Sequence, residues 1–235
     1  MRIALSLLLA LGGASAAQAQ CRLALALALD VSSSVNQYEY DLQRRGLAAA
    51  LDSEDVRHAI LRGAPGEVVL AVYEWSGRTQ QKLHLDWLPL RSAAEIDRAV
   101  VTLAGMTRSH DEFPTALGHG VAYGALLLEK APKCTRRVID VSGDGMNNHG
   151  YGPRTAYRHF PMKDVTVNGL VITGGPSGVV EFYHNQVKHG PAAFVEVANG
   201  FHDFEAAMTR KLYREISDLA IGAPLPALLD TRPKG

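Results

Sequence analysis

The sequence predicts an α/β domain: a doubly wound, mostly parallel sheet with helices on both faces and one antiparallel edge strand. Three observations predict it. Strand-like runs take turns with helical stretches along the chain, the order that yields a covered parallel sheet. Leu23 to Leu29 alternates Leu and Ala with no polar residue, as a strand buried on both faces requires. Two polar clusters, Asp30 to Ser34 and Asp144 to Asn148, directly follow such runs, and ligands of open α/β sheets sit beyond the carboxyl ends of the strands.

The first strand ends at Asp30. Asn36 with Glu39 three residues on has the capping-box pattern, and a helix runs from there to about Leu51. A second helical stretch covers Glu54 to Leu61, and Gly63 to Gly66 breaks it. Glu67 to Trp75 (EVVLAVYEW) is the second strand. After a turn at Ser76 to Arg78, Gln81 to Trp87 is a shorter strand suited to the antiparallel edge. Ser92 caps a helix to about Leu103, with Ile96, Val100 and Leu103 on one face. Gly105 to Pro114 is a polar loop. Thr115 then opens a helix to about Lys130, with Leu117, Val121, Ala125 and Leu128 in register. Gly120 and Gly124 cost it helix propensity, and close packing on the sheet would account for them. Arg137 to Ser142 is a strand ending in Gly143-Asp144-Gly145. A helix over Pro153 to Phe160, a strand over Val165 to Ile172 and a Gly174-Gly175-Pro176-Ser177-Gly178 loop follow. The chain closes with a helix from Val179 to Lys188, a short strand from Phe194 to Val197 and a helix from Phe201 to Leu219.

The ends read differently from the body. Residues 1–19 have the form of a secretory signal: Arg2, an apolar run from Ile3 to Leu11, and Ala17-Gln18-Ala19 as a cleavage site. The apolar run is too short to span a bilayer. Residues 20–220 then form one domain, and the Pro-rich residues 221–235 form a flexible tail. The domain is expected to be exported, periplasmic or secreted. In an oxidising compartment two cysteines suggest one disulfide. Cys21 lies nine residues before Asp30, and Cys134 ten before Asp144. If those strands are parallel neighbours with their acids level, the cysteines are nearly level at the far end, within bridging distance. A Cys21–Cys134 disulfide is therefore expected.

Charge excludes some functions. Lys plus Arg equals Asp plus Glu at 24 each, and loss of the segment holding Arg2 leaves a net of −1. No electrostatic case exists for nucleic acid or an anionic membrane surface as partner.

Chemistry concentrates at the first polar cluster. Asp30-Val31-Ser32-Ser33-Ser34 offers a carboxylate with hydroxyls at the second and fourth positions after it. Where the chain curls after a strand, such side chains can converge as hard oxygen ligands for Mg²⁺, Ca²⁺ or Mn²⁺. Serine-rich loops before helices also commonly act as caps, so this segment alone fits either role.

Taken together, the sequence resembles the von Willebrand factor A family, whose metal-ion-dependent adhesion site has three parts. Asp30, Ser32 and Ser34 match the Asp-x-Ser-x-Ser piece. Thr115, in Phe113-Pro114-Thr115-Ala116-Leu117, matches the Thr before a central helix and is preferred to Thr107 in the same loop. Asp144-Gly145 matches the Asp after the fourth strand. More narrowly, LDVSSSV, EYDLQRRGLAAAL, VYEWSG, RRVIDVSGDGMNN and VNGLVITG look like an uncharacterised exported bacterial branch, the DUF1194 domain, across Leu23 to Leu219. The resemblance implies one divalent cation, Mg²⁺ first and Ca²⁺ or Mn²⁺ as alternatives. Ser32 and Ser34 would bind it directly, Asp30 and Asp144 directly or through water, and Thr115 in the ligand-engaged state. It implies a binding domain, not an enzyme, with a protein partner supplying a carboxylate to an open coordination position.

Two other residue groups carry open alternatives. Asn147 and Asn148 either orient the metal ligands or merely turn the chain. Trp75 is either core or a partner anchor. Other chemistries lack their patterns. Gly175-Pro176-Ser177-Gly178-Val179 lacks the last Gly of a nucleophile elbow. Gly118-His119-Gly120 has Tyr123 where a dinucleotide fingerprint needs Gly. His110, His119, His149, His184 and His189 are scattered. A metal-dependent phosphoester hydrolase built on Asp30 and Asp144 would want a second Asp where Ser32 stands. A structural exported module with an unoccupied site is the third reading.

Overall fold

The computed structural model describes residues 20–217. The expected signal segment and the C-terminal tail lie outside the described residues.

Six strands form one sheet. They are β1 (Cys21–Asp30), β2 (Glu67–Trp75), β3 (Gln81–Pro89), β4 (Cys134–Gly143), β5 (Val165–Ile172) and β6 (Val195–Ala198). Their order is β3-β2-β1-β4-β5-β6. Every pairing is parallel except that of β2 with β3, which is the antiparallel edge. Seven helices complete the described residues: α1 (Gln37–Asp52), α2 (Glu54–Arg62), α3 (Ala93–Ala104), α4 (Leu117–Leu128), α5 (Pro153–His159), α6 (Val179–Phe182) and α7 (Phe204–Ile216). None is long and apolar enough to cross a membrane.

The Leu and Ala alternation of β1 sorts the two layers. Leu23, Leu25, Leu27 and Leu29 join the core beneath α1, α2, α3 and α7. Ala24, Ala26 and Ala28 join the core beneath α4, α5 and α6. Period-two side-chain placement makes one face bulky and the other small, and α4 uses the small one. A Cβ on Gly120 would lie 2.8 Å from the buried Trp75 ring, and one on Gly124 would lie 2.5 Å from Tyr73 Oη. Both glycines therefore serve helix-to-sheet contact. Trp75 is fully buried in this layer and presents no surface to a partner. Gly120→Val is expected to destabilise the fold by about 2–3 kcal/mol through overpacking; the urea midpoint checks it, and an unchanged midpoint contradicts this packing.

One strand and three helical stretches differ from the sequence expectation, β4 beginning at Cys134 and not at Arg137. The helix expected to open at Thr115 starts at Leu117, because Asn148 holds the Thr115 backbone outside the helix. The stretch after Val179 changes at Tyr183 into a π-helical turn, Tyr183–Val187. The last helix starts only at Phe204, after a 3-10 turn over Phe201–Asp203. Caps behave as the sequence indicates. Asn36 and Glu39 form a reciprocal capping box, and Ser92 accepts from Glu95 N–H.

Cys21 and Cys134 stand opposite each other in register at the starts of β1 and β4. They form the expected disulfide, with Cα atoms 4.5 Å apart. One polar knot lies deep under α7. Lys211 Nζ sits 2.8 Å from Asp140 Oδ1 and 2.7 Å from Glu215 Oε1. Asn168 donates to Glu215 Oε1 at 2.8 Å and accepts from Phe194 N–H at 2.9 Å. A buried charge is tolerable only when it is paired and hydrogen-bonded in this way.

Candidate metal centre

The site forms where β1 and β4 end. Beyond Asp30 the chain turns sharply, tied by Val31 N–H to Trp75 O at 2.9 Å and by Ser33 N–H to Phe113 O at 2.8 Å. Val31 and Val35 point inward to pack with Tyr40, which leaves residues 32 and 34 free for the site. Ser32 N–H donates to Asp30 Oδ1 at 2.8 Å, a local turn typical of Asp.

The hydroxyls and carboxylates then meet. Thr115 Oγ1 donates to Ser32 Oγ at 3.1 Å. Ser32 Oγ and Ser34 Oγ are 3.2 Å apart, and Ser34 Oγ donates to Asp144 Oδ1 at 2.8 Å. Asp30, Ser32, Ser34, Thr115 and Asp144, chosen from the sequence, are therefore brought together. Asp30, Ser32, Thr115 and Asp144 are buried, and Ser34 opens to solvent. Thr107 lies exposed and contributes nothing here.

Asn147 and Asn148 have definite tasks. Asn148 Oδ1 accepts from Thr115 N–H at 2.9 Å, and Asn148 N–H donates back to Thr115 O at 3.0 Å. Asn147 Oδ1 accepts from Gly118 N–H at 3.1 Å, capping the first turn of α4. The segment after Asp144 thereby fixes Thr115.

Sequence reasoning missed a second support. Arg108 Nη2 donates to Val31 O and Ser32 O at 3.1 Å each and to Val35 O. Its neighbour Ser109 N–H donates to Glu74 Oε2 at 2.8 Å. Glu74 also accepts from Tyr40 Oη at 2.7 Å, and His84 Nε2 lies 3.0 Å from its Oε2. Burial alone would push this acid up. The His84, Ser109 and Tyr40 contacts outweigh burial and hold it below its ordinary value. No local motif marks these residues, because their partners lie far away in the chain.

The site's own acids shift the other way. Burial, then the neighbouring Asp144 charge, pushes Asp30 up to about 7, against the opposing Ser32 hydrogen bonds and Arg108. Burial raises Asp144 as well. In chelated protein the folded state therefore holds a proton on Asp30 that the unfolded chain releases near pH 4. Stability from this group is full below pH 4 and falls as pH rises toward 7, by an order of 4 kcal/mol at most. Asp140, raised by burial and by Glu215, adds a slope of the same sign. We expect thermal unfolding with chelator to show a lower Tm at pH 8 than at pH 5, and Asp30→Asn to flatten part of that difference. An equal slope in Asp30→Asn would contradict the assignment.

The donor set fits a hard divalent cation. Asp30 Oδ2 is buried with no protein hydrogen-bond partner, and the adjacent oxygens are all carboxylate or hydroxyl. Among the described residues no cluster of three or more His, Cys, Asp or Glu side chains could hold a metal, so this hydroxyl-rich set differs from a zinc-finger-like cage.

The fold is that of a von Willebrand factor A-like domain. Solved structures share the fold at low sequence identity. A von Willebrand factor type A protein from Catenulispora acidiphila aligns at TM-score 0.55 and 14% identity, over 84% of this chain and 42% of its own. Proximal thread matrix protein 1 from the mussel byssus, in a structure with a zinc-occupied MIDAS motif, aligns at TM-score 0.56 and 15% identity, over 85% and 49%. The PilB minor pilin from Streptococcus sanguinis aligns at TM-score 0.59 and 11% identity, over 88% and 64%. This chain spans less than two thirds of the length of each. No curated protein matches it in sequence. Residues 20–220 match the family described as "Protein of unknown function (DUF1194)", and the chain belongs to that family.

Proposed function

We propose that this domain is exported, binds one divalent cation through Asp30, Ser32, Ser34, Thr115 and Asp144, and uses it to hold a carboxylate of a protein partner. The observation that carries the reading is the continuous contact Thr115–Ser32–Ser34–Asp144 beside the orphaned Asp30 oxygen. Only two carboxylates supply charge, so a bound Mg²⁺, Ca²⁺ or Mn²⁺ stays electrophilic toward an incoming acid; Mg²⁺ is the first choice. The zinc-occupied MIDAS motif of the mussel protein and the pilin likeness support it by analogy of fold. A disulfide suits an oxidising compartment.

The way in is one-sided. Ser34 is the exposed member of the set, and an open cavity of about 380 Å³ beside it is lined by Tyr38, Phe201, His202 and Pro176 as well as Ser34 and Asp144. A partner that reaches the cation crosses this face. We read the site as one for binding, not turnover, since Ser32 stands where an aspartyl phosphoryl-transfer site would want its second acid.

Capture of envelope and secreted proteins on the immobilised domain tests it. A protein retained in magnesium, and lost both with chelator and with Asp144→Ala, is the expected result. Retention indifferent to chelator and to the substitution would overturn the reading.

A further inference from the structure

The π-helical turn Tyr183–Val187 places one side chain where the proposed cation site can use it. The Tyr183 ring lies against Gly169 of β5, where a Cβ would come within 2.6 Å of it. Its hydroxyl reaches Gly143, the last residue of β4. A Cβ there would meet Tyr183 Oη at 2.8 Å and Asp30 Oδ2 at 2.7 Å. Two glycines thus leave a slot for this phenol, and the slot ends at the first acid of the metal loop. Tyr183 Oη and Asp30 Oδ2 are both buried and both lack a protein hydrogen-bond partner. Both lie against the same notch at Gly143, close enough for a single bridging water.

A tyrosine that merely fills core would be served as well by phenylalanine, because an unpaired buried hydroxyl is a net cost. Helical π turns are also found disproportionately at functional sites. We infer that Tyr183 is a positioning residue: its hydroxyl holds the Asp30 carboxylate, directly or across one water, in the orientation that meets the cation. The phenol is the donor of this contact. A tyrosine hydroxyl carries its proton at neutral pH. The contact fixes the second oxygen of a carboxylate whose first oxygen is already held by Ser32 N–H. Outer hydrogen bonds of this kind commonly set metal affinity by 10- to 100-fold. The inference rests on the cation reading of the site.

Isothermal titration of Mg²⁺ and Mn²⁺ into wild type and Tyr183→Phe, with thermal unfolding of both in chelator, tests it. The expected result is a loss of affinity of at least about tenfold in Tyr183→Phe, with a chelated Tm equal to or above that of wild type. A purely structural role predicts a changed Tm and unchanged affinity, and that outcome overturns the inference while leaving the cation reading intact. A wild-type chain that takes up neither ion overturns both. As a second measurement, the Tyr183 Cζ resonance in ¹³C-tyrosine-labelled wild type should shift when the cation is added. A resonance that does not move would also overturn the inference.

Discussion

Asp30→Ala and Asp144→Ala are each expected to lower divalent-cation affinity by more than about 100-fold, over about 2.7 kcal/mol, while the fold persists. The two carboxylates are the only full charges among the candidate ligands, so losing either leaves hydroxyls that compete poorly with water for a hard ion. The fold should tolerate the change, since a raised carboxyl pKa means the folded chain gains little from ionised Asp30. Asp30→Ala leaves Ser32 N–H without its acceptor, and Asp144→Ala leaves Ser34 Oγ without its own. Each is a loss of about 1–3 kcal/mol at most. Titration calorimetry on the two variants measures the affinity. Unchanged affinity in both would remove these residues from the site.

Opening the disulfide has the largest expected effect on stability. Cys21 and Cys134 are 113 positions apart, so the bridge closes a long loop in the unfolded chain. The chain-entropy account gives about 4–5 kcal/mol for such a loop. In a domain of this size the double variant Cys21→Ala/Cys134→Ala should therefore lose about 10 °C or more of Tm. The bridge ties the beginnings of β1 and β4, whereas Asp30 and Asp144 lie at or just past their ends. Ten residues of strand separate the two by about 30 Å. Cation affinity measured below the new Tm is accordingly expected to stay unchanged. A Tm within a degree or two of wild type would show that the bridge contributes little.

Much of this architecture is readable from local pattern. The Leu and Ala alternation from Leu23 to Leu29 gave a doubly covered strand, and the structure assigns Leu to one layer and Ala to the other. The cysteine spacing placed both sulfurs at one sheet end because parallel strands advance at equal rise. Asp30, Ser32, Ser34, Thr115 and Asp144 are legible as a set only through the resemblance to the von Willebrand factor A family, since the Asp30 to Ser34 segment alone fits a helix cap as well. What escaped depends on contacts distant in sequence. Arg108 grips carbonyls more than seventy residues away, and an arginine in a polar loop carries no sign of that. Glu74 reads as one more strand residue until Tyr40, His84 and Ser109 are seen around it. The sequence predicts a helix from Thr115, two residues before the observed start at Leu117, because the grip of Asn148 is a tertiary effect. The π turn at Tyr183 escapes because helical periodicity continues through it, while the slot at Gly143 and Gly169 that takes the ring is a contact distant in sequence.

The ionic knot around Lys211 bears on the cavity wall. Phe201 and His202, which line the open side of the site, belong to the turn that leads directly into α7. That helix is moored beneath the sheet by Lys211 and Glu215 to Asp140 of β4 and Asn168 of β5. Sliding it by one turn would part Lys211 from Asp140 and leave a buried carboxylate without its counter-charge, a penalty of several kcal/mol. Under the proposed binding role, the turn that carries Phe201 and His202 is thus anchored through α7 to the same strand, β4, whose end carries Asp144.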